Sequence, residues 1–253
     1  MDAELPLPVL DALAIRIGML TPSSNTVLEP FTSALLAPLA DRVSVHVSRF
    51  RVTQIGVDPA ANRQFDQEAI LSAAELLGDA KASVMAWNGT SASWLGFETD
   101  QSLCAAIEER TGVPATSAIL ALNALLYRRG VKRLGLVTPY TADVEARIVA
   151  NYSDIGIDIV AQARRDLRDN YSFADVSEST VEVMCRQVAA ARPDAIAIVC
   201  TNLRGPLVAA RLERDFDIPI FDSIAVTLKG CLDVAQVDSA PLARFGSVFS
   251  DHG

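Results

Sequence analysis

The chain has 253 residues, half of them hydrophobic and 21% charged, with a formal net charge of −9. That length and composition fit one large globular domain or two ordinary ones with a full core. The acidic balance argues against a nucleic-acid partner, because a phosphate surface would be repelled, and leaves a small-molecule ligand open.

The opening M-D-A-E-L-P-L-P lacks the basic region and long apolar core of a signal peptide, and no apolar run reaches the ~18 residues of a membrane span. Cys104, Cys185, Cys200 and Cys231 are widely spaced, and only His46 and His252 offer an imidazole. A structural zinc site or a disulfide framework is therefore not expected, and the reading is a reduced, cytoplasmic protein.

After a leader over 1–14, Ile15 to Leu20 reads as a buried strand that ends in Thr21-Pro22-Ser23-Ser24-Asn25. These are good helix-capping residues, and V-L-E-P-F-T-S-A-L-L behind them has helical spacing. Pro30 falls in the first turn, where its missing N–H is harmless. Val43 to Phe50 alternates as a strand with one apolar face. Gln64 to Leu77 reads as an amphipathic helix and Ser83 onward as a strand with the tip Asn88-Gly89-Thr90-Ser91. Helices follow at 101–110, stopped by Thr111-Gly112-Val113-Pro114, and at 118–129, ended by Gly130.

The pattern then restarts. Lys132 to Pro139 (K-R-L-G-L-V-T-P) repeats Ile15 to Pro22 (I-R-I-G-M-L-T-P) at an offset of 117 residues. Cys200-Thr201-Asn202, at the end of the apolar run from Ala195, repeats Gly89-Thr90-Ser91 at an offset of 111. Asp217-Ile218-Pro219 repeats Gly112-Val113-Pro114 at 105. Each half thus alternates strand and helix four times, which predicts an α/β fold of two lobes, each with a parallel sheet covered by helices, related by pseudo-two-fold symmetry with the active site in the cleft between them. The expected lobes are 1–130 and 131–228, with 229–253 returning to the first lobe.

Strand ends are where open α/β sheets place their chemistry. A free cysteine is commonly a small buried hydrophobe, the account that suits Cys104, Cys185 and Cys231 within helical patterns. Cys200 differs in standing at a strand end, shortly before a helix expected near Gly205-Pro206, whose dipoles would draw the thiol pKa toward working pH. Thr90 and Ser91 read either as helix caps or, facing Cys200, as donors that stabilise a developing carboxylate or enediolate charge. Ser23, Ser24, Asn25 and Tyr140 stand at equivalent strand ends. His46 on an alternating strand reads as structural. No P-loop, G-x-G-x-x-G or G-x-S-x-G motif is present, so an enzyme without a cofactor is expected.

P-S-S-N-T after the first strand, N-G-T-S after the third, T-P-Y opening the second half and V-C-T-N late in the chain together resemble the aspartate/glutamate racemase superfamily. The resemblance runs from Ile15 to Val237 and is strongest to the branch of maleate cis-trans isomerases and arylmalonate decarboxylases. It implies two Rossmann-like lobes, no cofactor, and Cys200 as the second-lobe cysteine. Gly89 stands where the racemases and maleate isomerases carry a first-lobe cysteine, which is similar to the decarboxylases. In their pattern Thr90, Ser91, Tyr140 and the backbone at Thr201 form a dioxyanion hole, a second carboxylate sits in an apolar pocket, and Cys200 protonates the enediolate. Asn25 and Asn170 fall where maleate isomerases hold the substrate carboxylate.

The expectation is therefore a cofactor-independent enzyme acting on a small dicarboxylate or related acid, with Cys200 as proton donor and Ser24, Asn25, Gly89, Thr90, Ser91, Tyr140, Asn170 and Thr201 around the substrate. Maleate-isomerase-type or racemase-type chemistry is the alternative, and a non-catalytic acid-binding protein stands behind both. Oligomeric state stays open, a homo-oligomer included.

Overall fold

The computed structural model describes residues 15–57 and 67–250; the leader 1–14 and the start of the helix expected from Gln64 lie outside them. The first half runs β1 (Ile15–Pro22), α1 (Leu28–Leu36), β2 (Val43–Phe50), α2 (Gln67–Asp79), β3 (Val84–Trp87), the short α3 (Ala92–Leu95), α4 (Glu98–Thr111), β4 (Ala115–Ser117) and α5 (Ala118–Arg128). The second runs β5 (Arg133–Thr138), α6 (Ala142–Asp154), β6 (Asp158–Arg164), α7 (Glu178–Ala189), β7 (Ala195–Ile198), α8 (Pro206–Phe216), β8 (Ile220–Asp222) and α9 (Ser223–Val234). Short 3-10 turns over Ala240–Phe245 and Ser247–Phe249 follow. Among the described residues no helix is long and apolar enough to cross a membrane.

Two four-stranded sheets result, ordered β2-β1-β3-β4 and β6-β5-β7-β8, with every pairing parallel. The apolar runs explain this: β3 and β7 are buried at all four positions, as parallel strands covered on both faces must be. In each sheet the chain leaves the first strand to one side and returns on the other. The crevice so created lies between β1 and β3 in one lobe and between β5 and β7 in the other, the position at which such sheets bind ligands.

The internal repeat extends to detail that the sequence comparison did not show. Gly112 and Asp217 both end their helices in the left-handed conformation, at φ +69° and +54°. Their N–H groups donate to the carbonyls of Glu108 and Glu213 at 2.8 and 3.0 Å. Those two glutamates in turn accept from the first backbone N–H of the next strand, Ala115 and Ile220, each at 2.8 Å. A carboxylate in the last turn of each helix thus sets where the following edge strand begins.

Helix α9 is buried at nine of its twelve positions, the pattern of a helix enclosed by protein on most sides. It packs on α5, β3 and β4 of the first half as well as on β8. At the crossing of α5 and α9 a Cβ on Gly230 would come within 2.8 Å of the Ala121 Cβ, so the close approach requires glycine there. The terminal 3-10 turns pack against α8, α9, β8 and α1.

Candidate active site

The carboxyl ends of β1, β3, β5 and β7 bring their loops together. Asn25 is buried just past β1, and its Oδ1 accepts from the backbone N–H of Val27 and Leu28, each at 3.0 Å. This is the cap that the sequence predicts for α1, supplied by a residue outside the helix. The amide Nδ2 of Asn25 is then free to cross the cleft, where it donates to the Thr201 carbonyl at 3.0 Å and approaches Thr201 Oγ1 at 3.2 Å. Thr201 Oγ1 donates to the Asn88 carbonyl at 2.8 Å. The two strand-end tips are therefore joined directly.

Asn202, the last residue of the second tip, repeats the logic. Its Oδ1 accepts from Thr26 N–H at 3.1 Å and Val27 N–H at 3.3 Å, and its Nδ2 donates to the Asn170 carbonyl at 2.6 Å. Asn170 Nδ2 donates to Ser24 Oγ at 2.8 Å, and Ser24 Oγ donates to the Val52 carbonyl at 2.7 Å. The loops after β2 and β6 meet beside this chain, through Asn170 N–H to the Thr53 carbonyl at 2.9 Å and an antiparallel bridge of Gln54 with Asp169.

Tyr140, two residues past β5, is buried, with its ring edge-on to Trp94 and Phe173 at centroid distances of 5.1 and 5.6 Å. Its hydroxyl lies 2.6 Å from Thr90 Oγ1 and beside the Cys200 thiol. Burial holds the phenol well above its usual pKa, so Tyr140 keeps its proton and serves as a donor.

Cys200 is 3% exposed. Its Sγ accepts from Asn202 N–H at 3.3 Å. Burial pushes the thiol up to about 12, against the lowering effect of the backbone N–H groups of Asn202 and Leu203 and the Tyr140 hydroxyl. This corrects the expectation of a thiolate favoured by a helix dipole. Helix α8 begins only at Pro206, beyond a turn, and dipole effects fade within a turn while the desolvation cost is paid in full.

Of the residues singled out in the sequence, Ser24, Asn25, Thr90, Tyr140, Asn170, Cys200 and Thr201 are thus linked through one set of contacts. Gly89 and Ser91 stand in the first tip, with Ser91 buried at the start of α3. Ser23 is exposed. Cys104, Cys185 and Cys231 are buried on α4, α7 and α9, and His46 bonds its own strand through Ser44 at 3.1 Å. Among the described residues no group of three or more His, Cys, Asp or Glu is placed to hold a metal ion.

Two participants escaped the sequence reading. Asn202 was visible as the third residue of the repeated tip, but its bonds to Thr26 and Val27 span about 175 positions. Asp222 ends β8; its Oδ1 caps α9 by accepting from Ile224 and Ala225 N–H at 2.8 and 3.2 Å, while Oδ2 is buried with no hydrogen-bond partner among the described residues. Burial raises the carboxyl to about 7, and its charge, when present, opposes ionisation of Cys200.

Residues 29–247 match the family model described as arylmalonate decarboxylase. The chain belongs to the arylmalonate decarboxylase family. Arylmalonate decarboxylase of Bordetella bronchiseptica is 27% identical over 238 residues, covering 93% of this chain and 96% of the relative. Maleate isomerase of Geobacillus stearothermophilus is 21% identical over 225 residues, covering 84% and 88%. Among solved structures, a Nocardia farcinica maleate cis-trans isomerase variant with a covalently bound succinylcysteine intermediate superposes with a TM-score of 0.85 at 22% identity, over 94% of this chain and 100% of that one. A glycine-to-cysteine, cysteine-to-serine variant of arylmalonate decarboxylase in a liganded form gives 0.82 at 23% identity, over 94% and 100%. At these identities the structural likeness speaks for the fold, and both relatives share the two-lobed α/β architecture. The chain is an enzyme of the branch that its sequence resembled.

Proposed function

We propose that the enzyme is a cofactor-independent decarboxylase acting on a small malonate-type diacid. The observation that carries this reading is one buried thiol, Cys200, beside the hydroxyls of Tyr140 and Thr90, with glycine rather than a second thiol on the opposing tip.

One substrate carboxylate accepts hydrogen bonds from Thr90, Tyr140 and Ser91 and from the backbone at Thr201. The bond from the α-carbon to the second carboxylate breaks, carbon dioxide leaves, and the electron pair passes into the held carboxylate as an enediolate. Donors already fixed in place stabilise that charge without reorganising. Cys200 gives its proton to the α-carbon, and the thiolate left behind is met by Asn202 N–H until solvent returns a proton. A thiol pushed up to about 12 holds its proton at neutral pH and gives it up to a strongly basic carbanion, which is what the step demands.

The cluster of Asn25 and Asn170 amides favours a second reading, maleate isomerisation, because neutral amide donors also suit two carboxylates held apart. Proton NMR in deuterated buffer separates the two. The decarboxylase reading expects methyl(aryl)malonate to lose carbon dioxide and gain one deuteron, with Cys200→Ala at least ~100-fold slower. Conversion of maleate to fumarate with malonates untouched would replace it by the isomerase reading. Unchanged spectra for all ligands, with Tm still raised by one of them, would indicate a binding protein.

A further inference from the structure

The two tips are counterparts in the fold, and two of the positions at which they differ are coupled. Trp87 ends β3 and Ile198 ends β7; Leu20 of β1 pairs with Trp87 as Val137 of β5 pairs with Ile198. Gly89 and Cys200 each stand two residues beyond. In extended backbone, residues two apart project to the same side, so the side chain at 87 flanks the space of any side chain at 89. Ile198 is compact enough to leave the Cys200 thiol its place. Trp87 is not. A Cβ built on Gly89 would meet Cζ2, Cε2 and Cη2 of the Trp87 indole, all well inside the 3.0 Å that real Cβ contacts essentially never breach. The indole is buried and lies against Phe50 at a centroid distance of 5.2 Å.

We propose that Trp87 is a specificity-determining residue: its indole fills the volume that a side chain at position 89 would need, and so restricts the cleft to the single thiol of Cys200. The consequence for the reaction, proton delivery to one face only, rests on the decarboxylase reading; the steric claim does not. The contrast predicts that glycine at 89 and tryptophan at 87 must change together before a second thiol can enter, in the manner of the Ile198 and Cys200 pair.

The test compares Gly89→Cys, Trp87→Ile and the double variant Trp87→Ile/Gly89→Cys with the unaltered enzyme. Gly89→Cys alone is expected to lower Tm by about 5 °C, the scale of an overpacked core site in a chain of this size. Its new thiol should stay unmodified by methyl methanethiosulfonate under native conditions, as located by peptide mass. The double variant should recover at least half of the Tm loss and show labelling at position 89. With a 2-arylpropionate in deuterated buffer, only the double variant should exchange the α-hydrogen of both enantiomers.

The opposite result has a structural route. Trp87 also borders a cavity of about 350 Å³ with Ile70, Leu95 and Leu103, into which the indole would rotate. If Gly89→Cys alone keeps the original Tm and its thiol reacts as fast as in the double variant, the proposal is overturned. If Tm and labelling follow expectation while no variant, the unaltered enzyme included, turns over a malonate, the functional reading fails and the role of Trp87 stands.

Discussion

The Tyr140 hydroxyl and Thr90 Oγ1 lie 2.6 Å apart, although one follows the first strand of the second lobe and the other follows the third strand of the first. This bond spans the cleft beside the Cys200 thiol. It places two neutral donors of separate origin at one spot, and neither lobe alone would position the pair.

Removing one of them tests whether they act as a unit. Tyr140→Phe keeps the ring contacts with Trp94 and Phe173 and loses only the donor, so kcat is expected to fall on the order of 100-fold with little change in Tm. Thr90→Val should cost a similar factor. In a double-mutant cycle the combined loss should be clearly smaller than the product of the two; strict additivity would show that the hydroxyls serve separate purposes.

The thiol makes a second prediction, which turns on its elevated pKa. At pH 8 a thiol near 12 is ionised about 1,000-fold less than one at the ordinary 9.0, and only the thiolate alkylates. Iodoacetamide should therefore leave Cys200 unmodified in the folded enzyme for at least that factor longer than in denaturant, as followed by peptide mapping. Rapid alkylation at pH 8 would mean an exposed, activated thiolate and would contradict a proton-donor role.

Asn202 carries three bonds between segments remote in sequence. Asn202→Ala takes the side-chain partner from the Thr26 N–H and from the Asn170 carbonyl, while the Val27 N–H keeps Asn25 Oδ1, a loss of about 2–3 kcal/mol. For a chain of this size that is a Tm lower by about 5–10 °C in calorimetry. A shift below 1 °C would show that water replaces the amide.

Asp222 governs a pH effect of definite sign. Its folded-state pKa of about 7 lies above the ordinary 3.8, so the folded protein binds this proton more tightly than the unfolded chain. Its contribution to stability is full below 3.8 and is lost as pH rises through 7. Asp100, bonded by Ser117 and likewise raised to about 7 by burial, acts in the same direction. Asp222→Asn retains a capping acceptor without the charge and is expected to flatten the fall of Tm between pH 4 and 7, with Asp100→Asn removing a further share. An unaltered Tm profile in both variants would show that neither carboxyl is desolvated.

The strands were legible because parallel strands are continuous apolar runs, and their ends because Thr-Pro, Gly-Thr-Ser and Cys-Thr-Asn punctuate them. Helix limits were less so: α4 starts at Glu98 rather than Gln101, since Glu98 and Asp100 favour the first turn electrostatically, while the expected start followed apolar spacing alone. At the site, the residue types and strand-end positions pointed to Cys200, Thr90 and Tyr140. The ionisation of Cys200 does not follow from its sequence neighbourhood, because burial is a property of the whole packed lobe, whereas a nearby helix start can be read locally. Asp222 and the overlap of Trp87 with the space beside Gly89 depend on side-chain packing in three dimensions, for which spacing along the chain gives no signal.

The close crossing of α5 and α9 at Ala121 and Gly230 bears on the history and handling of the molecule. A chain cut after Arg129 would expose the side of α5 that α9 covers, and could hide it again only by pairing with a second half. The duplication therefore behaves as a dimer written into one polypeptide, in which dilution cannot separate the halves. Melting should be a single transition that takes both halves together.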